Sequence, residues 1–169
     1  MSKENTAKKR LDIGCGNNKM PGATYLDIDP KTNPDIVHNL DKFPYPLADN
    51  SFDEIFAKHV IEHLEDPVGF MKEIARILKP GGTVYVETPH FSCRVAYSEP
   101  QHKRFFSFFM FNSIINSLPL EVIKQRLTFY KTFRVAGISY LANKFPDSYE
   151  RFWTYMFPAE NVILVARKK

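Results

Sequence analysis

A short apolar strand that runs directly into two glycines is the feature that most constrains the fold of this chain. The sequence LDIGCG begins at Leu11 and contains Gly14 and Gly16, a pattern typical of a buried β-strand that leaves its sheet through a tight turn. Glycine tolerates left-handed backbone conformations and lets a ligand lie directly against the main chain. In open α/β sheets, ligands bind at the carboxyl ends of the strands. The pattern therefore predicts a sheet with a binding site at this turn.

An aspartate at the end of the next strand indicates what such a site binds. Asp27 lies in the sequence YLDIDP, eleven residues after Gly16, at the end of a strand predicted over 23–28. A carboxylate at this place can accept both hydrogen bonds of a ribose diol. Only six residues separate Gly16 from Ala23, and so short a link cannot contain a full helix. The two features predict a nucleoside site and a shortened first helix.

Strands and helices alternate along the rest of the chain. The clearest helix is predicted over 67–78, with Asp66 as its N-cap and Pro67 at its first position. Further helices are predicted near 105–117 and within 136–155. The predicted strands are 9–13, 23–28, 35–40, 52–57, 83–88, 122–133 and 161–167. This alternation predicts a single α/β domain over residues 1–169, with a doubly wound, mostly parallel sheet of about seven strands and helices on both faces.

Composition narrows the classes of function. The apolar fraction of 44% and the charged fraction of 25% are typical of a soluble globular protein. The first ten residues are polar, and no apolar run reaches the ~18 residues of a membrane span, so we expect a cytoplasmic protein without a membrane span. Cys15 and Cys93 are expected to be free thiols.

Charge and aromatic residues are concentrated in the second half of the chain. The net charge is +4, and residues 91–157 carry nine basic and four acidic side chains. The same segment holds 17 of the 24 aromatic residues. This excess suits either a binding surface or the packing of a compact layer, and the sequence leaves both interpretations open.

Five segments in order resemble the class I S-adenosylmethionine-dependent methyltransferases: LDIGCG, YLDIDP, FPYPLADNSFDEI, HVIEHLEDP and EIARILKPGG. The resemblance extends from about Leu11 to Thr88, close to half of the chain. It implies a Rossmann-like form of the predicted sheet and S-adenosylmethionine as cofactor. Residues 11–90 are then the cofactor-binding half, residues 91–157 form substrate-binding or capping segments, and residues 158–169 contain the final strand.

The resemblance also implies which residues bind the cofactor. Asp12, Gly14 and Gly16 would hold its methionine end, and Asp27 would bind the ribose. The remaining cofactor-binding positions follow strands two, three and four, and they are Ile28, Asn39, Leu40, Ala57 and Lys58. Many relatives have aspartate where this chain has Asn39. Compared with aspartate, Asn39 keeps a hydrogen-bond acceptor for the adenine but lacks the negative charge.

Histidines supply the candidates for catalysis. Methyl transfer from a sulfonium has a good leaving group already, so the enzyme mainly positions the nucleophile and a base is optional. His90 directly follows the fifth predicted strand and is the first candidate, with His59 and His102 as further ones. We interpret His63 as structural, and the spacing of histidines and cysteines predicts no metal site.

The segment SEPQHKRFFSFFMF combines cations with aromatic rings just after the cofactor-binding half. Such a mixture can bind an anionic or partly apolar substrate, pack against the sheet or form a homodimer surface. The candidate substrate-binding residues in and just before this segment are Tyr97, His102, Arg104 and Phe105.

Three functions remain open at this stage. The first is methyl transfer to a small molecule, a sugar or a lipid-linked compound. The second is modification of RNA, for which the basic and aromatic second half is suited. The third is a non-catalytic binding module that retains the fold. A nicotinamide-dependent dehydrogenase is disfavoured because the third glycine of its G-x-G-x-x-G motif is absent and Asp27 comes too early.

Overall fold

The computed structural model describes residues 8–169, in which seven strands form one sheet. The strands are β1 (Arg10–Ile13), β2 (Thr24–Asp27), β3 (Ile36–Val37), β4 (Phe52–Lys58), β5 (Leu78–Pro89), β6 (Leu120–Leu127) and β7 (Asn161–Lys168). Their order across the sheet is β3-β2-β1-β4-β5-β7-β6. The first five strands are parallel, and β7 is antiparallel to β5 and β6. The prediction of a mostly parallel, seven-stranded sheet is confirmed.

The helices are short apart from the first. They are α1 (Pro67–Ile77), α2 (Arg94–Ser98), α3 (Met110–Ile115), α4 (Lys131–Val135) and α5 (Ile138–Lys144). Further helical turns lie at Pro30–Thr32, Ile61–His63 and 146–153. No helix in the described part of the chain is long and apolar enough to cross a membrane.

The chain changes direction across the sheet at β1. From β1 it passes to β2 and β3 on one side, whereas β4 and β5 continue on the other side of β1. Crossovers between parallel strands are right-handed, so connections that move in opposite directions lie on opposite faces of the sheet. A crevice therefore opens between the carboxyl ends of β1 and β4, the place where open α/β sheets bind ligands.

Helices α1 and α3 contact each other and are part of one hydrophobic core. Leu11, Ile55 and Val84 lie at paired positions on β1, β4 and β5, and all three are fully buried in this core. Asp66 caps α1 by accepting a hydrogen bond from the Gly69 amide at 2.8 Å, as the sequence predicts. The capped, amphipathic α1 leads directly into β5 and packs against it.

The opposite face of the sheet is less buried. Phe56 and Tyr85 alternate with the buried positions of β4 and β5, and their side chains are partly exposed. By the same handedness rule, the links after β1 and β2 lie on this face. Residues 14–23 form turns only, and residues 28–35 contain one 3₁₀ turn. The predicted shortening of the first helix is confirmed, and it leaves the end of β1 accessible.

The second half departs most from the prediction. Strand β6 ends at Leu127 instead of residue 133, because the chain turns there into α4. The helix predicted over 105–117 is reduced to α3, since Phe106 pairs with His90 in an isolated bridge before the helix starts. Strand β5 begins at Leu78 and not at residue 83, so it includes the Lys79–Gly82 segment. Helix α1 accordingly ends at Ile77, one residue before the predicted end.

An ionic network holds the link before β4 onto α1. The Glu73 carboxylate accepts hydrogen bonds from the Tyr45 amide at 2.7 Å and from Arg76 Nη2 at 2.8 Å. Arg76 also donates to the carbonyl oxygens of Leu47 and Tyr45. The hydrogen bonds from Arg76 hold the pKa of Glu73 below its ordinary value. The charged form of Glu73 therefore stabilises the folded state.

We predict that Glu73→Gln lowers the free energy of unfolding by about 1–3 kcal/mol at pH 7, because charged hydrogen bonds are lost from a largely buried site. Because the pKa of Glu73 is lower in the folded than in the unfolded state, this stabilisation is complete above the unfolded value of about 4.3 and disappears as pH falls through the folded value. Urea unfolding at pH 7 and pH 3 measures it, with the exposed Lys72→Gln as control. A difference that does not shrink at acid pH would contradict this account.

Candidate active site

A cleft of about 580 Å³ opens at the carboxyl ends of β1, β2 and β4. This volume is within the range of about 300–1,000 Å³ that is usual for sites of small ligands and cofactors. Five of the residues predicted to bind the cofactor line it, and they are Gly14, Asp27, Ile28, Asn39 and Leu40. The structure thus brings together residues that are up to 26 positions apart in the sequence.

The turn after β1 passes unusually close to the end of β4. Gly14 has a φ of 64°, and a Cβ atom at this position would lie 2.3 Å from Cγ2 of Val60. Its amide donates to the carbonyl oxygen of Leu26 at 2.7 Å, which joins the turn to β2. A side chain at this position would be strained by the backbone conformation and would have to push Val60 aside. Gly16 has a φ of 48° and has open space where a side chain would be.

Two buried aspartates hold the shape of this turn. Asp27 is 8% exposed, and its Oδ2 and Oδ1 accept hydrogen bonds from the amides of Gly16 and Asp29, both at 2.9 Å. A carboxylate oxygen can accept more than one hydrogen bond, so Asp27 retains acceptor capacity on the cleft side. Asp12 is also buried and accepts from the Met20 amide at 2.9 Å. Burial raises the pKa of Asp12.

The far end of the cleft has an apolar wall. Ile28 is 60% exposed at the end of β2, although it is a large aliphatic residue. Leu40 also lines the cleft and is buried, and its carbonyl oxygen accepts a hydrogen bond from the Tyr45 hydroxyl. Asn39 Oδ1 accepts from the Asp41 amide at 2.9 Å, which leaves its NH₂ group free of that contact. Aliphatic side chains such as Ile28 and Leu40 suit contact with an aromatic base.

At the end of β4, the residues that line the cleft lie two positions later in the sequence than the predicted Ala57 and Lys58. Ala57 is fully buried in the sheet, and the Lys58 ammonium lies over the ring of Tyr85, 5.7 Å from its centroid. His59 and Val60 line the cleft instead. His59 has a φ of 54°, a left-handed conformation that is uncommon outside glycine and turns the chain towards the cleft. The alternation of residues along β4 does not indicate the left-handed conformation of His59.

His59 contacts a buried carboxylate that the sequence analysis missed. Its Nδ1 lies 3.3 Å from Oε1 of Glu62, which is 1% exposed. The interaction with Glu62 raises the pKa of His59. The other oxygen, Oε2, accepts a hydrogen bond from the Thr88 hydroxyl at 2.9 Å. Glu62 therefore connects the end of β4 to the end of β5 beneath the cleft.

Residues 100–103 cover this part of the cleft. The amides of Lys103 and Arg104 both donate to the carbonyl oxygen of Glu62, at 2.8 and 3.1 Å. The Lys103 ammonium lies 2.9 Å from a carboxylate oxygen of Glu65 and 3.6 Å from one of Asp41. Arg104, a predicted substrate-binding residue, donates instead to the Glu65 carbonyl oxygen. A covering segment thus comes from within residues 91–157.

The covering segment places His102 beside His63. Their ring centroids are 4.7 Å apart, and His63 lines the cleft. One potential ligand atom from each of Glu62, His63 and His102 lies within 4.8 Å of the other two. The sequence offered only the adjacent Glu62–His63 pair and a histidine 39 residues beyond it as a signal, so this cluster was not predicted.

Several predicted residues lie elsewhere. His90 is fully buried, and its two ring nitrogens contact Ser92 Oγ at 2.7 Å and Glu150 Oε1 at 2.9 Å. It therefore braces the second half of the chain and is not among the residues that line the cleft within the described range. Tyr97 and Phe105 stack on each other with centroids 4.7 Å apart, and both are exposed outside the cleft.

These features fit an adenosyl sulfonium. The acceptor capacity of Asp27 suits ribose hydroxyls, and the wall formed by Ile28 and Leu40 suits adenine. The glycine turn provides main chain without side chains where the amino-acid end would lie. The carboxylates of Asp12 and Asp41 near the cleft suit a ligand that carries sulfonium and ammonium charges.

Part of this chain is similar in sequence to known methyltransferases. Residues 11–86 match the family model of the methyltransferase domain. Ajmaline N-methyltransferase of Rauvolfia serpentina is 30% identical, over 77% of this chain and 56% of that protein. The tRNA U34 carboxymethyltransferase of Campylobacter curvus is 39% identical over 29% of this chain and 16% of that protein. This chain thus spans about half or less of the length of these two relatives.

A solved structure supports the same fold. The crystal structure of a SAM-dependent methyltransferase from Archaeoglobus fulgidus superposes with a TM-score of 0.70 at 16% identity. The superposition covers 95% of this chain and 86% of that one. The sheet thus has the Rossmann-like fold of that solved structure, and residues 11–86 resemble the methyltransferase domain family. These similarities indicate S-adenosylmethionine as the cofactor.

We predict that Gly14→Ala weakens binding of S-adenosylhomocysteine by at least about tenfold, because the new methyl group must displace Val60 from the cleft wall. Gly22→Ala is the matched control, since Gly22 also has a positive φ but would meet no atom within 4 Å. The control should lose about 1 kcal/mol of stability and keep its affinity. Calorimetric titration measures both variants, and equal affinities would contradict a role for the Gly14–Val60 contact.

Proposed function

We propose that this chain is an S-adenosylmethionine-dependent methyltransferase whose acceptor is a small molecule, a sugar or a lipid-linked compound. The observation that carries the proposal is the cleft itself. It has Asp27 and an apolar wall at one end and His59 beside a buried carboxylate at the other. This arrangement of side chains suits a nucleoside at the end with Asp27 and a methyl acceptor at the end with His59.

The bound cofactor supplies an activated methyl group on a sulfonium. The chain would contribute binding and alignment. Asp27 holds the ribose, and the turn at Gly14 and Gly16 receives the amino-acid end. His59 positions the nucleophilic atom of the acceptor by a hydrogen bond, and the covering segment at 100–103 excludes water. Alignment of this kind supplies a large part of the rate enhancement in a displacement with a good leaving group.

An apolar cavity in the second half supports an acceptor with an apolar part. The cavity has a volume of about 390 Å³, and Ile138, Phe145, Tyr149 and Trp153 are among its lining residues. The Tyr149 ring lies 6.2 Å from the ring of His90, which directly follows β5. The cavity therefore lies at the same edge of the sheet as the cleft. Its aromatic lining suits an aliphatic or aromatic group.

Modification of RNA is the second candidate. The similarity to a tRNA U34 carboxymethyltransferase and the excess of basic over acidic residues in 91–157 favour it. A steep fall of tRNA affinity with salt, together with labelling of tRNA, would establish this candidate in place of the small-molecule acceptor.

A chain that binds the cofactor normally and transfers no methyl group would instead be a binding module. The cytoplasmic location and the homodimer stay predictions.

We predict that S-adenosylmethionine and S-adenosylhomocysteine bind the purified chain in calorimetric titrations. Asp27→Asn should weaken both by at least about tenfold, because a charged hydrogen-bond acceptor for the ribose is lost. Asp29→Asn is the control, since its side chain accepts from the Lys31 amide and lies outside the cleft. The site assignment would be wrong if Asp27→Asn bound as tightly as the control.

Transfer itself is measured with S-adenosylmethionine labelled at the methyl group. Small acceptors with an apolar part and a hydroxyl, thiol or amino group are tested beside total tRNA. We expect label in a small acceptor and its loss in the Asp27→Asn variant. Cofactor binding without label in either class of acceptor would overturn the enzymatic proposal and favour the binding module.

A further inference from the structure

We propose that Glu62, His63 and His102 form a binding site for a divalent transition metal, with Zn²⁺ as the first candidate, at the acceptor end of the cleft. One potential ligand atom of each residue lies within 4.8 Å of the others. Ligand atoms that share one zinc ion at about 2.0–2.2 Å lie at most about 4.4 Å apart, so small side-chain adjustments close the site. Nothing in the spacing of these residues along the sequence indicated it.

The backbone around the cluster brings the three residues together. Glu62 and His63 lie in the helical turn Ile61–His63 after β4. The amides of Lys103 and Arg104 bind the Glu62 carbonyl oxygen and thereby fix the preceding residue, His102, above the turn. The ligands thus come from two segments that are held against each other by main-chain hydrogen bonds, which is the rigid support that a metal site needs.

Hydrogen bonds to carbonyl oxygens determine which nitrogen of each histidine is free. Nδ1 of His63 lies 3.3 Å from the Gln101 carbonyl oxygen, and Nδ1 of His102 lies 3.0 Å from the Ala96 carbonyl oxygen. A carbonyl oxygen can only accept, so Nδ1 carries the proton in each ring and Nε2 retains its lone pair in the neutral form. Histidines that bind metals characteristically donate their other N–H to a carbonyl or carboxylate oxygen.

The carboxylate of Glu62 has an unused oxygen. Oε2 accepts from the Thr88 hydroxyl, whereas Oε1 has no hydrogen-bond partner among residues 8–169 although the side chain is 1% exposed. An ionised carboxylate oxygen buried without a partner is costly. His59 Nδ1 lies 3.3 Å from Oε1 and is the competing partner, which a metal ion bound to Oε1 would replace. A cation next to Oε1 would remove this cost.

The chemistry of the donor set selects the metal. Two imidazole nitrogens and one carboxylate oxygen suit Zn²⁺, Co²⁺ or Fe²⁺ better than Mg²⁺ or Ca²⁺, which prefer oxygen ligands. Three protein ligands leave at least one coordination position open, as in catalytic zinc sites. Because His63 lines the cleft, the open position would face the proposed acceptor.

The role of the ion, in contrast to its binding, rests on the proposed function. A hydroxyl or thiol of the acceptor would bind at the open position, and the positive charge would lower its pKa so that its proton leaves to solvent. The resulting oxygen or sulfur forms a bond to the methyl carbon while the carbon–sulfur bond of the sulfonium breaks. The electron pair of that bond returns to the sulfur, so the step needs no oxidant or reductant.

The test uses Co²⁺ as a spectroscopic probe for the chelator-treated full chain, without cofactor or acceptor. We expect one equivalent of Co²⁺ to give visible absorption bands of a site with nitrogen ligands, which Zn²⁺ abolishes by displacement. Glu62→Gln and His102→Ala should each weaken Zn²⁺ binding by at least about 100-fold, because a ligand is lost. His38→Ala is the control, since His38 is a histidine outside the cluster, and it should bind like the wild type.

Absent Co²⁺ bands, or equal Zn²⁺ binding by Glu62→Gln, His102→Ala and His38→Ala, would overturn the metal site. Circular dichroism shows whether His102→Ala folds, and Glu62→Gln, which can still accept from Thr88, serves if it does not. These measurements omit S-adenosylmethionine, so failure of the metal site is distinguishable from failure of the cofactor site. A chain that binds the cofactor but not Zn²⁺ is a methyltransferase without this metal.

Discussion

The close approach between the turn after β1 and the end of β4 is the constraint on which the site depends. A Cβ atom at Gly14 would lie 2.3 Å from Cγ2 of Val60, so a side chain at this position would push the two strand ends apart or displace Val60. β1 and β4 are neighbours at the point where the strand order changes direction, because β2 and β3 lie on one side of β1 and β4 and β5 on the other. The connections after these strands therefore lie on opposite faces of the sheet. The crevice is therefore a product of topology, and the glycine turn determines how far a ligand can enter it. The shortened link after β1 leaves this entrance accessible.

Three buried carboxylates lie around the cleft, and they differ in how many hydrogen bonds they accept from main-chain amides. Asp27 and Asp12 accept hydrogen bonds from amides of the glycine turn and its continuation, so their burial fixes the loop. Glu62 is buried more deeply but has only one oxygen in a hydrogen bond. The first two carboxylates thus shape the proposed cofactor end. Glu62 lies at the proposed acceptor end, where His59 is 3.3 Å from its Oε1 and where His63 and His102 are close by.

The cofactor half could be predicted from the sequence because its signals are local. The glycine turn, the aspartate that ends β2 and the capped α1 each depend on a few neighbouring residues, and all three occur where expected. The end of β4 was misplaced because alternation along a strand does not reveal a left-handed residue such as His59. Capping segments were expected within residues 91–157, but the position of residues 100–103 could not be predicted, since it depends on hydrogen bonds to Glu62, some 40 residues away in the sequence. His90 follows β5 as expected, but contacts with Ser92 and Glu150 occupy its ring.

A crystal structure of the chain with S-adenosylhomocysteine would show where the nucleoside binds. We expect the ribose hydroxyls to bind the Asp27 carboxylate and the adenine to contact Ile28 and Leu40. The sulfur should point towards His59 and the cluster beneath the covering segment. A nucleoside bound elsewhere, or bound in the cleft with its sulfur directed away from His59, would show that the site has been assigned wrongly.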